Sequence, residues 1–465
     1  MVDCGVPATF AAQGEPGGSG DVYALMANHR NAGPDGNMGM SFENVRHNQL
    51  EVVPFLVGYY LAFRLIMVLI SVRLFGADPQ TGTALSLAFD FLLLLVAAFC
   101  SVGVGYPLRE MSRLPGVRWT LLFLGFSCCS LFWSRTASLP DSVAYWCGMA
   151  ADFAMVALLL RAGELEATSA SLMKGFVWGA CAVAAIAWIM PAQSDLRLGD
   201  EELLGPNQIG YVCAFAFFFA QYLIREKKAK LGASALLLAI TVLRSLSKTT
   251  IVAFLAGEGF LLLRDRSMSR RTKILMAVGA IAAVALFWGL LTSYYGVYTN
   301  EGNQSETLSG RLGIWAYFLT EAVQRPWIGH GFDSVWKVIP PFGRDQFEAA
   351  HAHNELLQQF YAYGLVGLTL FLGIYFSIFR HIRRLCAGAT RSFFLAFLIF
   401  VLVRGLADTE RFDLSLPLWA ILLVSLLVEQ ARARSGAAFE IVSPALEPLG
   451  RQTIEAAGPE NVIRL

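Results

Sequence analysis

Long apolar runs broken by short polar connections occupy most of the chain between residues 52 and 431. A helix that crosses a bilayer needs about 20 mostly apolar residues. Twelve segments come near that length: 52–73, 84–106, 117–133, 142–161, 172–191, 206–224, 231–246, 249–264, 274–291, 356–380, 393–407 and 415–431. The pattern predicts an all-α polytopic membrane protein of about twelve transmembrane helices, whose even number returns both tails to one side. The seventh and eighth runs are short, with 16 residues each and only Ser247 and Lys248 between them. At about 1.5 Å per residue each covers roughly 24 Å of a core about 30 Å thick. The turn between them is therefore expected to sit recessed, in a cleft.

After the ninth run the pattern breaks into a long polar excursion, residues 292–356. Within it Leu312, Trp315, Leu319 and Val323 recur at helical spacing, Ser309 is placed to cap, and Pro326 to stop. An amphipathic helix lying across the mouth of the bundle is predicted. Trp327-Ile328-Gly329-His330-Gly331-Phe332 follows as a tight turn whose glycines permit close backbone approach. The excursion ends on His351-Ala352-His353-Asn354 at the start of the tenth run. The expected layout is a flexible N-terminal tail over 1–50, transmembrane helices over 51–291, a soluble loop over 292–356, transmembrane helices over 357–432, and a flexible C-terminal tail over 433–465.

Composition agrees: 56% hydrophobic residues, 15% charged residues and a mean hydropathy of +0.53 exclude a soluble protein of this length. A net charge of +1 points to no nucleic-acid partner. What matters is where the bases fall. Connections after even-numbered runs carry Arg109, Arg113, Arg118, Lys174, Arg225, Lys227, Lys228, Lys230, Arg264, Arg270, Arg271, Lys273, Arg380, Arg383 and Arg384, whereas the connection at Asp195, Asp200, Glu201 and Glu202 is acidic. The positive-inside rule puts both tails in the cytoplasm and the histidine loop outside. None of the eight cysteines falls in 292–356, so a disulfide or a thiol-ligated metal there is excluded.

Polar residues in such a chain carry the candidate chemistry. If the helix continued through the recessed turn, Arg244 and Lys248, four residues apart, would share a face. A cation at membrane depth costs about 2.5–3.5 kcal/mol on insertion scales, so it faces water or a partner unless it snorkels to the headgroups. His351 and His353 lack a neighbouring acid at zinc-protease spacing, and a metal is not expected. A neutral imidazole at a polar mouth suits proton abstraction from a hydroxyl; the structural alternative is a histidine that only caps the helix beginning near Glu355. Trp315, Trp327 and Trp336 suit sugar stacking or interfacial anchoring equally well.

Several stretches in order resemble a known family. They are Phe132-Trp133-Ser134, Gly205-Pro206-Asn207-Gln208-Ile209-Gly210, Ser245-Leu246-Ser247-Lys248-Thr249, Ser309-Gly310-Arg311 with Trp315, Pro326-Trp327-Ile328-Gly329-His330-Gly331, and His351-Ala352-His353-Asn354-Glu355 leading to Tyr363-Gly364-Leu365-Val366-Gly367. Over residues 120–430 the set resembles the bacterial O-antigen ligase and Wzy-type polysaccharide polymerase superfamily, with ExoQ-type exopolysaccharide polymerases most similar. The resemblance implies a GT-C-like glycosyltransferase of the bacterial inner membrane, without metal or other cofactor, acting on the periplasmic face. Its donor and acceptor would be undecaprenyl pyrophosphate-linked oligosaccharide, and flippase and chain-length or export proteins would be its partners. The family's loop histidine falls on His353, its loop arginine on Arg311, and a second basic residue, usually arginine, on Lys248. Arginine grips phosphate bidentately where lysine is a point charge, so Arg244 is kept beside Lys248. His351, Asn354, His330, Arg404 and Asn207 are carried as acceptor-side or secondary candidates.

The reaction this implies is metal-independent, inverting polymerisation of repeat units into exopolysaccharide or O-antigen-type polymer. An O-antigen ligase, moving a finished glycan to lipid A core or protein, shares the donor chemistry. A lipid-linked oligosaccharide transporter is the alternative of another class, but transporters often show two similar halves and these halves differ. Acids within the runs are few beyond Asp90, Asp152 and Glu258. Arg135, Arg404, Asp408, Glu410 and Arg411, at the outer ends of runs, could line an acceptor groove or be ordinary interfacial charges; the second reading is preferred for all but Arg404, which falls within the end of an apolar run.

Overall fold

The computed structural model describes residues 36–102, 108–193, 196–200, 203–265, 269–286, 288–289, 292–293, 308–334, 351–409 and 415–442. Asp195, Glu201, Glu202, Trp336, Glu410 and Arg411 lie outside the described residues. The elements are α1 (Gly36–Arg73), α2 (Pro79–Ser101), the single turn α3 (Leu108–Met111), α4 (Pro115–Ser130), α5 (Leu139–Ala162), α6 (Leu165–Ile189) and α7 (Pro206–Arg225). They continue with α8 (Gly232–Arg244), α9 (Lys248–Arg264), α10 (Arg270–Leu286), α11 (Leu308–Gln324), α12 (Glu355–Arg383), α13 (Ala389–Gly405) and α14 (Ser415–Val442). The protein is all-α and multi-pass, with no strand among the described residues. α1 begins upstream of its expected span and α14 runs past its expected end.

A helix stands at each of the twelve expected places, and among the described residues eight are long and apolar enough to cross a membrane. α8 has 13 residues, and α9, α10 and α13 have 17 each. Seventeen residues rise about 25 Å, short of a core about 30 Å thick. The expected fold class, an all-α polytopic membrane protein, stands; among the described residues eight of the twelve helices have the length of a full span and four are shorter. Hydropathy had counted apolar residues, such as Leu246 and Leu406, that the fold spends on turns rather than helix.

Several helix starts follow from local chemistry. Prolines open α2, α4, α5 and α7 in the first turn, where their missing N–H is no loss, and Asp78 and Ser138 cap α2 and α5 through their side chains. α1 and α6 cross closely because Gly175 and Gly179 face α1: a Cβ on Gly175 would collide with the Phe55 carbonyl. Phe215, Phe218, Phe397 and Phe400 interleave α7 with α13, with ring centroids 5.1–5.9 Å apart.

Polar contacts sort into two ends of the bundle. One end holds Lys228–Glu166 at 3.1 Å, His381–Glu429 at 3.0 Å and the Arg225–Asp265 pair. The other, called the mouth here, holds Arg73–Asp200 at 2.9 Å, the α8–α9 turn and the loop residues from Arg311 to Asn354.

Candidate active site

The site is organised by the turn after α13. Asp408 is fully buried there, its backbone N–H donating 3.0 Å to the Arg404 carbonyl. Its Oδ1 lies 3.3 Å from His353 Nδ1, and its Oδ2 lies 3.5 Å from Arg404 Nη2 and accepts from Thr249 Oγ1 at 3.4 Å. Burial alone would raise the Asp408 pKa. The Arg404 charge, then the hydrogen bond and charge of His353, outweigh it and hold the carboxyl well below the usual carboxylate range. An ionised acceptor facing Nδ1 assigns the proton to that nitrogen and leaves His353 Nε2 with its lone pair. The His353 side chain is 18% exposed while that of Asp408 is closed off. His353 also takes φ +49°, a left-handed conformation that a residue with Cβ holds only where its surroundings impose it.

Loop and helix ends converge on the same turn. Arg311, early in α11, donates from Nη1 to the Ala407 carbonyl at 2.6 Å, and Asn354 donates from Nδ2 to Leu406 at 2.9 Å. Asn354 Oδ1 caps α12 by accepting from Leu357 N at 3.0 Å, so capping belongs to Asn354, not His353. His351 packs edge-on against His353, with ring centroids 4.0 Å apart. Its pKa is pushed down to about 3, first by burial and then by the neighbouring His353. His351, His353 and Asp408 each offer a ligand atom within 4.8 Å of the others, close enough to share a cation. Sequence spacing could not show this cluster, because its acid comes from another helix.

The basic turn is broken, not continuous. α8 ends at Arg244, Leu246 takes φ +56° and α9 restarts at Lys248, so the two cations do not share one helix face. Arg244 Nη1 donates to the Leu196 carbonyl at 2.9 Å, whereas Lys248 is exposed at the first position of α9. Ser245, Leu246 and Ser247 are buried, as expected of a recessed turn. Ser247 makes no side-chain cap for α9 and instead donates to Asn207 Oδ1 at 2.7 Å. Asn207 thus braces the basic turn.

Two secondary candidates are closely packed. Arg404 is 2% exposed, with its guanidinium 3.8 Å from the Tyr211 ring centroid and Nη2 3.5 Å from Asp408 Oδ2. His330 is fully buried and stacks on Tyr361 with centroids 4.5 Å apart, and burial foremost lowers its pKa and keeps it neutral. Around it the loop backbone pairs with α12: Gly331 N donates to Ala362 O at 2.7 Å and Leu365 N to Pro326 O at 2.7 Å. This pairing requires a kink at Gly364, φ +62°, and a Cβ on Gly329 would lie 2.5 Å from the Ala362 carbonyl. On the other flank Phe332 N donates to Ser130 Oγ at 3.0 Å, Ser134 donates to the Phe332 carbonyl, and Arg135 N donates to His330 O at 3.1 Å.

The amphipathic helix is present as α11, with a different inner face. Ile314, Phe318 and Ala322 pack on Ala352 and Tyr361. Trp315 keeps an inward role by donating to the Ala352 carbonyl at 2.8 Å. Leu319 and Val323, expected on that face, are 50% and 60% exposed, with Trp327 at 68% beside them; docking on α12 rotates them outward. The Leu312 side chain lies outside the described residues.

Sequence reasoning named Asp408 only as an outer-end charge and gave Thr249 no role at the site. The available signal was an arginine and an aspartate four residues apart at the end of an apolar run, a spacing that pairs them on one helix face.

Fold and site define a class: an all-helical, multi-pass membrane protein whose mouth carries a histidine oriented by a buried acid and flanked by arginine and lysine. Residues 233–372 match the Wzy_C family model, described as O-antigen ligase, and the resemblance drawn from sequence is borne out. The chain is 24% identical over 295 residues to the exopolysaccharide production protein ExoQ of Rhizobium meliloti, covering 57% of this chain and 66% of that protein. It is 27% identical over 374 residues to an O-antigen ligase of Pseudomonas aeruginosa, covering 76% of this chain and 88% of that protein. The domain match includes Lys248, Arg311 and His353 but stops short of Arg404 and Asp408.

Proposed function

We propose that the protein polymerises undecaprenyl pyrophosphate-linked oligosaccharide repeats on the periplasmic face of the bacterial inner membrane. The observation that carries this reading is the convergence of His353, Arg311 and the α9 start on one turn around Asp408. Both tails are cytoplasmic in this scheme, because the basic connections lie at the end opposite the mouth.

The donor sugar already carries a good leaving group, so the enzyme needs positioning and charge stabilisation. The acceptor hydroxyl oxygen attacks C1 and its proton passes to His353 Nε2. The bond from C1 to the phosphate oxygen breaks, and the carrier pyrophosphate leaves with the electron pair, inverting C1. Asp408 stabilises the imidazolium that forms. Arg311 and Lys248 hold the departing pyrophosphate. The positive end of α9, whose cap residue turns its hydroxyl elsewhere, adds backbone N–H donors. Exposed Leu319, Val323 and Trp327 seat α11 in the membrane surface.

Purified protein with a lipid-linked repeat tests the scheme. His353→Ala is expected to abolish chain growth; growth near the wild-type rate removes the general-base role. Arg311→Ala is expected to cut turnover about 10- to 150-fold, from the ~1.5–3 kcal/mol carried by a hydrogen bond to a charged group. Chelation should leave activity unchanged. Loss on chelation with recovery on adding a divalent ion would make the His351–His353–Asp408 cluster a metal centre instead.

Ligation is the second reading, favoured by the longer coverage of the Pseudomonas aeruginosa ligase. A gene deletion separates the two: single repeats left on the carrier mean polymerase, and long carrier-bound chains mean ligase.

A further inference from the structure

At the end of the bundle opposite the mouth, three arginines approach one another from three helices. Arg264 closes α9, Arg383 closes α12, and Arg391 stands in the first turn of α13. α9 packs along α13, and α12 reaches α13 through a short turn. The Arg391 pKa is lowered, first by burial and then by the charges of Arg383 and Arg264, so the three guanidinium groups lie within electrostatic reach.

Acids at this end are engaged elsewhere. Asp265, next to Arg264 in sequence, pairs with Arg225; Glu429 faces His381 at 3.0 Å and Arg432 at 3.9 Å; Glu166 faces Lys228 at 3.1 Å. Among the described residues none of the three arginines forms an ion pair. The helix dipole favours a cation at a C-terminus, which accounts for Arg264 and Arg383, but Arg391 sits at the positive end of its helix. Its guanidinium donates to the Leu385 carbonyl at a long 3.4 Å. Like charges gathered this way repel unless an anion completes them.

The cluster stands on the lipid boundary. Leu263, beside Arg264, is 89% exposed. On α12 the exposed Phe376 and Phe379 rings carry the guanidinium groups of Arg380 and Arg383, 5.7 and 5.9 Å from their centroids. A base that only snorkelled would reach away from the apolar surface. These two fold back over it by one helical turn.

We propose that Arg264, Arg383 and Arg391 form a site for the phosphate of an anionic phospholipid, whose acyl chains lie along Leu263, Phe376 and Phe379. Guanidinium forks grip phosphate oxygens bidentately, and basic pockets between helices are where anionic headgroups bind. One headgroup would join the far ends of α9, α12 and α13. At the mouth the same three helices begin at Lys248, begin after Asn354 and end beyond Arg404. The site rests on charge and exposure, not on the catalytic reading.

The test is lipid retention by the full-length protein, read by native mass spectrometry during titration with phosphatidylglycerol or phosphatidylcholine. Wild-type protein is expected to retain phosphatidylglycerol in preference. The triple variant Arg264→Gln, Arg383→Gln, Arg391→Gln should hold it on the order of 100-fold more weakly, and Arg391→Gln alone about fivefold. Arg270→Gln with Arg271→Gln, exposed bases opening α10 at the same end, should bind as the wild type does. Undiminished retention by the triple variant overturns the site, as does an equal loss in the α10 variant. Inorganic phosphate that competes the lipid off would make this a soluble-anion site and overturn the lipid assignment. In nanodiscs of phosphatidylcholine alone the triple variant should melt no lower than the wild type, because it loses only mutual repulsion; a lower melting temperature would show that the arginines are already satisfied within the fold, which overturns the proposal.

Discussion

Replacing Asp408 with asparagine removes one charge and almost no volume, and its consequences can be worked out from three contacts. The carboxylate faces His353 Nδ1 at 3.3 Å, Arg404 Nη2 at 3.5 Å and Thr249 Oγ1 at 3.4 Å. A hydrogen bond to a charged group contributes about 1.5–3 kcal/mol. If that stabilisation appears when His353 becomes an imidazolium, its loss lowers kcat about 10- to 150-fold at 1.36 kcal/mol per tenfold, with little change in donor KM. The substitution also removes the ion pair with Arg404, which is 2% exposed, and breaking a buried pair costs about 3–5 kcal/mol. Folding must therefore be separated from chemistry. A double-mutant cycle does this: in a His353→Ala background, Asp408→Asn should reduce residual turnover no further, while the fall in melting temperature should persist. Multiplicative losses of turnover across the cycle would refute the idea that Asp408 acts through His353.

Other expectations follow from the same geometry. Lys248→Ala should raise donor KM about tenfold or more and Lys248→Arg should restore it, whereas Arg244→Ala, losing its bond to the Leu196 carbonyl, should lower melting temperature with donor KM unchanged; the reverse pattern would move the clamp to Arg244. Gly364→Ala places a Cβ at φ +62° against the Trp327 carbonyl and should cost more than about 1 kcal/mol, read as faster hydrogen exchange at residues 328–331; unchanged exchange would refute the interlock. The folded-state pKa of His351 is lowered to about 3, so the unfolded chain takes its proton first as pH falls below about 6.5. Stability full above that pH declines toward pH 3, by about 2 kcal/mol at pH 5. His351→Phe should remove that part of the acid sensitivity in nanodisc melts at pH 7 and pH 5, and equal slopes for both proteins would count against a buried, neutral His351.

Much of this architecture was legible in the chain because membrane insertion writes itself into local composition. A helix in lipid must satisfy its own backbone and show apolar side chains outward, so a linear scan finds where helices stand, and every expected run holds one. The scan ran some helices too long because it cannot tell an apolar residue in a helix from one in a turn such as Leu246. The motifs were legible too: glycines in 329–331, the pair of histidines before Asn354, and the basic turn at 244–248. Their purpose was not. Gly329 and Gly364 matter as partners, and neither explains the other until the backbones touch. The inner face of α11 was misread because Leu319 and Ile314 are equally apolar, and only docking on Tyr361 chooses between them.

The sequence by itself determined the class of protein, the place of its helices and the roles open to His353, Arg311 and Lys248, since these depend on side-chain chemistry and short-range spacing. Only the tertiary structure decided that Asp408, 55 residues beyond His353, faces its ring, that Arg404 lies buried against Asp408 and Tyr211, and that Arg244 and Lys248 part company. The physical reason is that a charge buried at the end of one helix can be satisfied by any element the fold brings within a few ångströms. Chain order carries no record of which one that will be.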